Sequence, residues 1–258
     1  MRTKKAIVKD WLPRYTGTKP EEFGKYILLT NFSNYVDKFA AMFKVKVKGI
    51  GKPMQTATVK KHNLSIINFG IGSANCATIM DLLSAANPKA VLFLGKCGGL
   101  KKSTELGHFI LPIAAIRGEG TSDDYIPREV PAMPSFKLHK FVSEKILDKG
   151  QDYRTGVVYT TNRRVWEHDT PFKKRLRDLR VIGIDMETAT FFTVGLVNEI
   201  SRGALLLVSD RPMTPEGVKT AASDKKVTSN FTDMHLDIGI ESMMQIDKKG
   251  EQIKHFRY

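Results

Sequence analysis

The sequence predicts a single-domain α/β fold in which a central mixed, twisted sheet is flanked by helices on both sides. Short apolar runs rich in leucine or β-branched residues recur along the chain, as expected for strands that are buried on both faces. Segments of helical length, with apolar residues three and four positions apart, separate these runs, and this alternation indicates a layered architecture. At 258 residues the chain is long enough for one large domain.

The N-terminal half alternates strands and helices after a basic lead-in. Residues 1–24 lack sustained periodicity and contain Pro13 and Pro20, which indicates an N-terminal arm in front of a folded domain that spans residues 25–258. Gly51 and Pro53 indicate the turn of a hairpin. Strands are predicted at residues 26–30, 44–51, 54–59, 64–69 and 90–94, and helices at residues 35–43 and 73–86.

The C-terminal half continues this alternation. Pro112 interrupts one apolar run, so that strand is expected to be bulged or to lie at a sheet edge. Residues 213–228 are polar and are expected to be mobile and to act as a flap, and the tail at residues 250–258 is basic. Strands are predicted at residues 109–116, 156–159, 181–184 and 204–208, and helices at residues 137–147, at residues 187–200 with one apolar face, and from residue 230 onward.

Two glycine-rich turns follow predicted strands. Gly70 and Gly72 stand at the start of a helix, where backbone N–H groups can approach a ligand and negative charge is favoured. A dinucleotide fingerprint requires a third glycine in register, which this turn lacks, so a Rossmann cofactor site is not expected. The run from Gly95 to Gly99 predicts a turn pressed against a ligand, or only against neighbouring backbone.

Acidic residues follow the apolar runs at residues 181–184 and 204–208. In open α/β sheets the ligand crevice lies outside the carboxyl ends of the strands, so Asp185, Glu187 and Asp210 are expected beside one pocket. A carboxyl group that is partly desolvated there has a raised pKa and can give a proton to a leaving group. The alternative is structural, because Asp185 also stands where a helix N-cap is favoured.

A group of cations and one aromatic ring follows the strand at residues 156–159. Arg163, Arg164 and Trp166 would suit a phosphate and a flat ring, although solvated arginines of a loop would give the same pattern. Backbone donors in the turn at Asn31 and Ser33 could also meet a phosphate.

Composition limits the class of protein and its partners. The net charge of +14 attracts anions such as phosphorylated metabolites, and because no nucleic-acid-binding signature accompanies it, nucleic acid is not expected as a partner. Cys76 and Cys97 belong to no ligand pattern, so we expect free thiols in a reducing cytoplasm and no metal site. There is no secretory signal and no apolar run of membrane-spanning length, which predicts a soluble cytoplasmic protein.

A set of ordered motifs resembles the purine nucleoside phosphorylase and nucleosidase superfamily. The resemblance rests on FGIGSANCA, FLGKCGGL, IDMETAT and LLLVSDRP. Within the superfamily, YILLTNFSNYVDKF, VVYTTNRRVWE and VSDRP are most similar to the catalytic half of the AMP nucleosidase branch, over nearly the whole chain. The resemblance implies a nucleoside phosphorylase-like fold, no redox cofactor, and a homo-oligomer such as a trimer of dimers. Longer members carry an N-terminal regulatory domain that this chain is expected to lack.

The resemblance also implies roles for single residues. Asp210 would protonate or hydrogen-bond the purine at N7, and Glu187, with Met186 before it, would hold the 2′ and 3′ hydroxyls of the ribose. Cys97 and Gly98 match the turn that contacts the base. These roles fit the chemistry, because breaking an N-glycosidic bond builds positive charge on the ribose and negative charge on the base.

Departures from the phosphorylase pattern favour hydrolysis. Where phosphorylases carry an arginine and a hydroxyl residue that hold the attacking phosphate, this chain has Phe93 and Lys96. Water is therefore the expected nucleophile, and the predicted reaction converts AMP to adenine and ribose 5-phosphate. The substrate 5′-phosphate is expected at Arg163 or Arg164, together with Asn31 and Ser33.

Two alternatives stay open. Because Lys96 could still attract an anion, the protein could be a phosphate-dependent phosphorylase of a purine nucleoside or of uridine. The net charge of +14 also fits a relative that binds nucleotides or RNA without turnover.

Overall fold

Within residues 2–214 and 217–248, the part of the chain that the computed structural model describes, eight β-strands form one mixed sheet with α-helices on both faces. Side chains are not described for residues 221–224 and 226. The strands are β1 (Tyr26–Thr30), β2 (Gln55–Val59), β3 (Leu64–Asn68), β4 (Ala90–Gly99), β5 (Phe109–Gly118), β6 (Tyr153–Thr161), β7 (Gly183–Asp185) and β8 (Arg202–Asp210). The helices are α1 (Lys4–Thr16), α2 (Ser33–Phe43), α3 (Ser73–Leu83), α4 (Phe136–Asp148), α5 (Thr170–Asp178), α6 (Thr188–Val197) and α7 (Ala221–Lys248). The predicted fold class is confirmed.

The sheet has an open part and a closed part that share β4. The strand order is β2-β3-β1-β4-β7-β6-β5-β8, and β8 also pairs with β4, so the last five strands in this order close into a ring. Strand β4 is parallel to β1 and β8 and antiparallel to β7. Its first residues pair with β1, whereas Gly98 and Gly99 pair with β7. The C-terminal end of β4 is therefore one of the strand segments that form the ring.

Alternate residues of the central strands enter two separate hydrophobic cores. In β4, Val91 and Phe93 face a core shared with α1, α3 and α6, whereas Leu92 and Leu94 face a core shared with α2, α4 and α7. Burial on both faces explains why this strand is a continuous apolar run. Each fully buried side chain of this size contributes about 1.5–3 kcal/mol to the stability of the fold.

The segment interpreted as an arm contains a docked helix. Thr3 caps α1 by accepting a hydrogen bond from the backbone of Ala6, and Gly17 ends the helix with a φ of 67°. Val8 and Leu12 are buried in the core shared with α3. The interpretation of residues 1–24 as a loose arm is therefore wrong. The helix was not predicted because two buried apolar positions give too little periodicity. The domain boundary at residue 24 stays a prediction.

The predicted hairpin and the strand with Pro112 also differ from expectation in part. Residues 44–51 form no strand, and only Lys48 of this segment makes an isolated bridge, to Thr56. The bulge is confirmed, since the register of β5 shifts between Pro112 and Ala114. Strand β5 is nevertheless internal, because it pairs with β6 on one side and β8 on the other.

Helix α6 is buried on nearly all sides. All residues from Thr188 to Gly195 are buried, because α3 covers one side of the helix and the strands of the ring cover the other. The predicted apolar face does pack on the sheet, and the burial extends beyond that face to most of the helix. Helix α7 begins at Ala221, so the C-terminal part of the predicted flap is helical, and the basic tail at residues 250–258 lies outside the described residues. Among the described helices, none combines the length and apolar character needed to cross a membrane.

Candidate active site

A cleft of about 670 Å³, counting its open mouth, lies beside the C-terminal end of β4. Its walls are the ends of β1, β4, β7 and β8, the turn before α3, and the loop after β6. These segments are far apart in the sequence and meet only in the folded chain. The predicted site residues that line the cleft are Asn31, Lys96, Cys97, Gly98, Arg163, Arg164, Trp166, Met186, Glu187 and Asp210.

Gly98 is the point at which the two acidic segments meet. It pairs with Ile184 of β7 on one side and with Asp210 of β8 on the other. The register between β4 and β8 shifts after Cys97, so Ser209 is an extra residue in a β-bulge. Bulges of this kind redirect a side chain, and here the bulge places Asp210 opposite Gly98.

The acids meet for a different reason from the one predicted. The prediction placed Asp185 and Asp210 at the carboxyl ends of strands in an open sheet. The two strands instead run in opposite directions as neighbours of β4 in a closed ring. The position of the pocket is thus as expected, whereas the topology that creates it is not.

Glu187 is a buried carboxyl group at the entrance to α6. The backbone N–H of Gly72 donates to Glu187 Oε1 at 2.7 Å, and that of Met186 donates to Oε2 at 3.3 Å. Gly72 adopts a φ of 98°, which favours glycine and points its N–H group at the carboxylate. Burial and, next, the charge of Asp185 raise the pKa of Glu187 to about 8. Its protonation can therefore respond to charge in the cleft near neutral pH.

Asp185 supports the turn that carries Glu187. Asp185 Oδ1 accepts a hydrogen bond from Thr160 Oγ1 at 2.8 Å, and Oδ2 accepts one from Thr188 N, also at 2.8 Å. Burial raises the pKa of Asp185, while these hydrogen bonds favour its charged form. Asp185 therefore has a structural role, although the N-cap position of α6 belongs to Glu187 and not to Asp185 as the alternative predicted. Its carboxylate holds the first turn by accepting from the N–H of Thr188.

Asp210 faces the cleft from the end of β8 and is half-buried. Ser209 Oγ donates to Asp210 Oδ1 at 2.7 Å. Burial raises the pKa of Asp210; the Ser209 hydroxyl and the cations Lys219 and Arg164 oppose this rise, and the charge of Glu167 adds to it. A carboxyl group in such surroundings can hold a proton and give it to a base.

The two arginines of the loop after β6 differ in their partners. Arg163 Nη2 lies 2.9 Å from Asp169 Oδ2, and its guanidinium stands 4.7 Å from the centre of the Phe172 ring. Arg164 Nη1 makes a longer contact of 3.3 Å with Glu167 Oε1, and 59% of its side chain is exposed. Arg164 is thus held less firmly than Arg163.

Trp166 lines the cleft as predicted, whereas Ser33 does not. Trp166 is buried and packs edge to face on Phe172 at 5.4 Å between ring centres, so it anchors its loop as well as forming part of the wall. Asn31 lines the cleft and donates to Gly70 O at 3.0 Å. Ser33 is exposed in the first turn of α2 and does not line the cleft.

Lys96, a residue of β4, contributes a positively charged side chain to the lining of the cleft. Its Nζ donates to Thr228 Oγ1 at 2.8 Å and stands 4.5 Å from the centre of the Phe32 ring. Phe93, three residues earlier, is fully buried between Phe69 and Phe191, with ring centres 5.8 Å away in each case. Position 93 therefore contributes packing and no charge.

Sequence reasoning missed part of the lining. Some missed residues are direct neighbours of predicted ones and could have been found from that adjacency, whereas Lys219 reaches the cleft only through the fold. Within the described part of the chain, no group of three His, Cys, Asp or Glu side chains could hold a metal ion. The missed lining residues are Phe32, Ile71, Thr161, Glu167, Ile184, Ser209 and Lys219.

Comparison of the sequence with known proteins supports the superfamily that the motifs resemble. Residues 25–238 match the phosphorylase superfamily. The chain is 28% identical over 287 aligned positions to an AMP nucleosidase of Escherichia coli (strain K12), covering 94% of this chain and 59% of that protein. It therefore spans about three fifths of that relative's length. A uridine phosphorylase of Thermococcus kodakarensis is 26% identical, with 83% of this chain and 84% of that protein covered.

Solved structures extend the likeness to the fold. An AMP nucleosidase from Bacteroides thetaiotaomicron VPI-5482 is 52% identical with a TM-score of 0.85, covering 97% of this chain and 100% of that chain. A uridine phosphorylase from Vibrio fischeri ES114 shares the fold at 21% identity with a TM-score of 0.76, covering 88% of this chain and 93% of that chain. From the sequence match over residues 25–238 and this agreement in fold, the chain belongs to the phosphorylase superfamily.

Proposed function

We propose that this protein hydrolyses the N-glycosidic bond of a purine nucleotide, with AMP as substrate and adenine and ribose 5-phosphate as products. The observation that carries the proposal is the meeting of two carboxyl groups with raised pKa values, Asp210 and Glu187, in one cleft around Gly98. The 52% identity to a protein named AMP nucleosidase, over 97% of this chain, supports this choice of substrate.

In the proposed reaction Asp210 acts on the base. Its carboxyl proton moves to N7 of the purine as the bond between C1′ and N9 breaks, and the bonding electron pair leaves with the base. Protonation neutralises the negative charge that would otherwise develop on the leaving group. The raised pKa of Asp210 supports this role, because burial favours the protonated form that the step consumes.

Glu187 acts on the sugar. Before substrate binds, Glu187 is mostly protonated near neutral pH, and the positive charge that develops on the ribose would favour its ionised form. The carboxylate would then accept hydrogen bonds from the 2′ and 3′ hydroxyls and place negative charge beneath the sugar. The N–H of Gly72 holds one of its oxygen atoms, which fixes the direction of the group before substrate arrives. Interactions that strengthen as charge develops lower the barrier more than they tighten binding.

Water is the proposed nucleophile. Attack on C1′ forms the new C–O bond as the C1′–N9 bond breaks. The proton that the water loses replaces the one that Asp210 gave to the base, so the carboxyl group is restored and AMP and water give adenine and ribose 5-phosphate. An attacking phosphate would need firm anchoring, yet position 93 is a buried phenylalanine, and Lys96 offers a point charge already in contact with Thr228. Phosphorolysis is the second candidate, since Lys96 lines the cleft and the family includes uridine phosphorylases.

The 5′-phosphate is assigned to the cationic side of the cleft. We place it first at Arg164, which is more exposed and less firmly paired than Arg163, and Asn31 also lines the cleft. Ser33 takes no part in this proposal because it does not line the cleft. If adenosine were hydrolysed as fast as AMP, the reaction would need no residue that binds the 5′-phosphate.

One experiment separates these functions. Purified protein is incubated with AMP, adenosine, inosine and uridine, with and without inorganic phosphate, and the released base and sugar are identified. The proposal expects adenine and ribose 5-phosphate from AMP without added phosphate. Base release that requires phosphate would establish phosphorolysis, and no release combined with tight, salt-dependent RNA binding would favour the non-catalytic alternative.

The predicted cytoplasmic location and homo-oligomer belong to the same proposal. A trimer of dimers would give a mass about six times that of the 29.0 kDa chain in light scattering. A monomeric mass would reject it.

A further inference from the structure

Besides Asp185, Glu187 and Asp210, the cleft is lined by a fourth acidic residue, Glu167, for which the proposed mechanism has no use. Glu167 lines the same cleft as Asp210, at the start of the loop segment that follows Trp166. Only 14% of its side chain is exposed, compared with 59% for its neighbour Arg164. An acidic side chain on a loop is ordinarily exposed, so its placement in the wall calls for a function.

The orientation of Glu167 is fixed from two directions. The backbone N–H of Trp166 donates to Glu167 Oε2 at 3.0 Å, and Trp166 itself is buried against Phe172. Arg164 Nη1 approaches the other oxygen, Oε1, at 3.3 Å. Because a carboxylate oxygen has two lone pairs, Oε1 can accept a further hydrogen bond from a ligand in the cleft.

Asp210 interacts with three charged residues of the cleft, Glu167, Arg164 and Lys219. Burial is the main reason for the raised pKa of Asp210, and the negative charge of Glu167 adds to it while the two cations oppose it. Glu167 is thus near enough to Asp210 for their charges to interact. Glu187, by contrast, interacts with Asp185 and Asn31.

The chemistry of the purine edge connects the two carboxyl groups. Adenine presents N7 as an acceptor and the 6-amino group as a donor on the same edge, whereas a 6-oxopurine presents two acceptors there. If Asp210 meets N7, as the proposed function requires, the next group along this edge is the substituent at C6. An ionised carboxylate accepts hydrogen bonds and cannot donate them.

We propose that Glu167 determines base specificity by accepting a hydrogen bond from the 6-amino group of adenine and repelling the 6-oxo group of hypoxanthine or guanine. This inference rests on the proposed function. The competing explanation is that Glu167 only pairs with Arg164 and stabilises the loop.

The test compares kcat/KM for AMP and IMP in the parent protein, in Glu167→Gln and in the control Asp178→Asn. Asp178 is an exposed acid in α5, so its replacement makes the same change in net charge away from the cleft. A glutamine can turn either its oxygen or its amide nitrogen toward the base. The ratio of kcat/KM for AMP to that for IMP is expected to fall about 10- to 100-fold in Glu167→Gln. The control should leave the ratio unchanged.

A ratio that stays constant in a folded Glu167→Gln variant, with both substrates slowed equally, would overturn the inference and leave Glu167 as a loop residue. A second measurement needs no variant: purine riboside 5′-monophosphate, which lacks the 6-amino group, should be cleaved by the parent at least tenfold less efficiently than AMP. Equal cleavage of AMP and IMP by the parent rejects the inference alone. Failure to release base from any purine nucleotide rejects the proposed function.

Discussion

Asp210 and Glu187 are carboxyl groups that the fold removes from water on either side of Gly98. Burial raises the pKa of both, and in each case hydrogen bonds from neighbouring groups only partly offset the effect. The two differ in their surroundings. Cations lie near Asp210, whereas Asp185 stands next to Glu187 and adds to the rise in its pKa. Taken alone, the cations favour ionised Asp210 and Asp185 favours protonated Glu187. The proposed roles therefore depend on burial to keep the proton on Asp210, and on the positive charge that develops on the ribose to favour ionised Glu187.

Replacing Asp210 by Asn tests the proton donor. The amide keeps the size of the side chain but cannot give a proton to N7, so kcat for AMP should fall by a factor of about 100 to 10,000. Steady-state kinetics measures the effect, and circular dichroism checks that the variant is folded. A rate within a factor of a few of the parent would reject general acid catalysis by this residue.

Replacing Glu187 by Gln tests the raised pKa through stability. The folded protein holds the proton of Glu187 up to about pH 8, whereas the unfolded chain releases it near the ordinary pKa of 4.5. The folded state therefore binds more protons between these values, and the parent loses stability as pH rises through this window, by at most about 1.4 kcal/mol per pH unit. Glutamine does not titrate, so the Glu187→Gln variant should not lose stability with pH for this reason.

The difference in thermal unfolding midpoint between Glu187→Gln and the parent should consequently grow from about pH 5 to about pH 8 and then level off. Differential scanning calorimetry at several pH values gives the midpoints. A difference that is the same at all pH values would show that Glu187 has an ordinary pKa in the folded protein.

At the scale of elements, the end of β4 organises the site. A Cβ added at Gly98 would stand 2.9 Å from Cγ of Pro212, which follows β8, and 3.2 Å from Cγ2 of Ile184 in β7. A side chain at position 98 would therefore push against both segments. The bulge at Ser209 lies beside this close approach and sets Asp210 one position further along than regular pairing would.

Replacing Gly98 by Ala should therefore reduce activity more than it reduces folding. The added Cβ would stand 2.9 Å from Pro212 Cγ, which belongs to a rigid ring, so β8 must move and carry Asp210 with it. We expect a loss of kcat of at least tenfold and a loss of stability of about 1–3 kcal/mol. Kinetics and denaturant unfolding measure the two effects.

Gly183→Ala is the matched control in the neighbouring strand. Its added Cβ would stand 3.2 Å from Ile110 Cδ1, the end of a flexible side chain that can turn away. Its kcat should stay within a factor of a few of the parent value. Equal losses in both variants would mean that the geometry at Gly98 has no special importance for the site.

At the scale of the whole molecule, the net charge of +14 favours encounter with anionic substrates. The cleft adds local cations at Lys96, Arg164 and Lys219. Long-range attraction between charges is screened by salt, with a Debye length of about 10 Å at 0.1 M. Rising ionic strength should therefore weaken the capture of a charged nucleotide more than the binding of a neutral base.

We expect kcat/KM for AMP to fall several-fold as NaCl rises from about 0.02 M to about 0.3 M. The inhibition constant of adenine, which carries no charge, should change by less than about twofold over the same range. Parallel changes in both quantities would indicate a general effect of salt on the protein rather than attraction of the phosphate.

The sequence by itself determined the fold class, most strands and the acids of the site. Strands such as β1 and β4 are buried on both faces, so each is a continuous apolar run. Such a run can be recognised in the sequence without knowing which strands it pairs with. The motifs around Asp210 and Glu187 were also readable, because the chemistry of breaking a glycosidic bond requires acidic groups and the chain places them after two such runs.

Only the tertiary structure decided how these pieces meet. Closure of the ring, the bulge at Ser209, burial of α6 on nearly all sides and docking of α1 depend on contacts between residues far apart in the sequence. The same applies to Glu167, whose neighbour Asp210 is remote along the chain. A hydrophobic pattern reports whether a residue is buried, but the partner that buries it is fixed by the packing of the whole chain, and the pKa values and the specificity of the cleft follow from that packing.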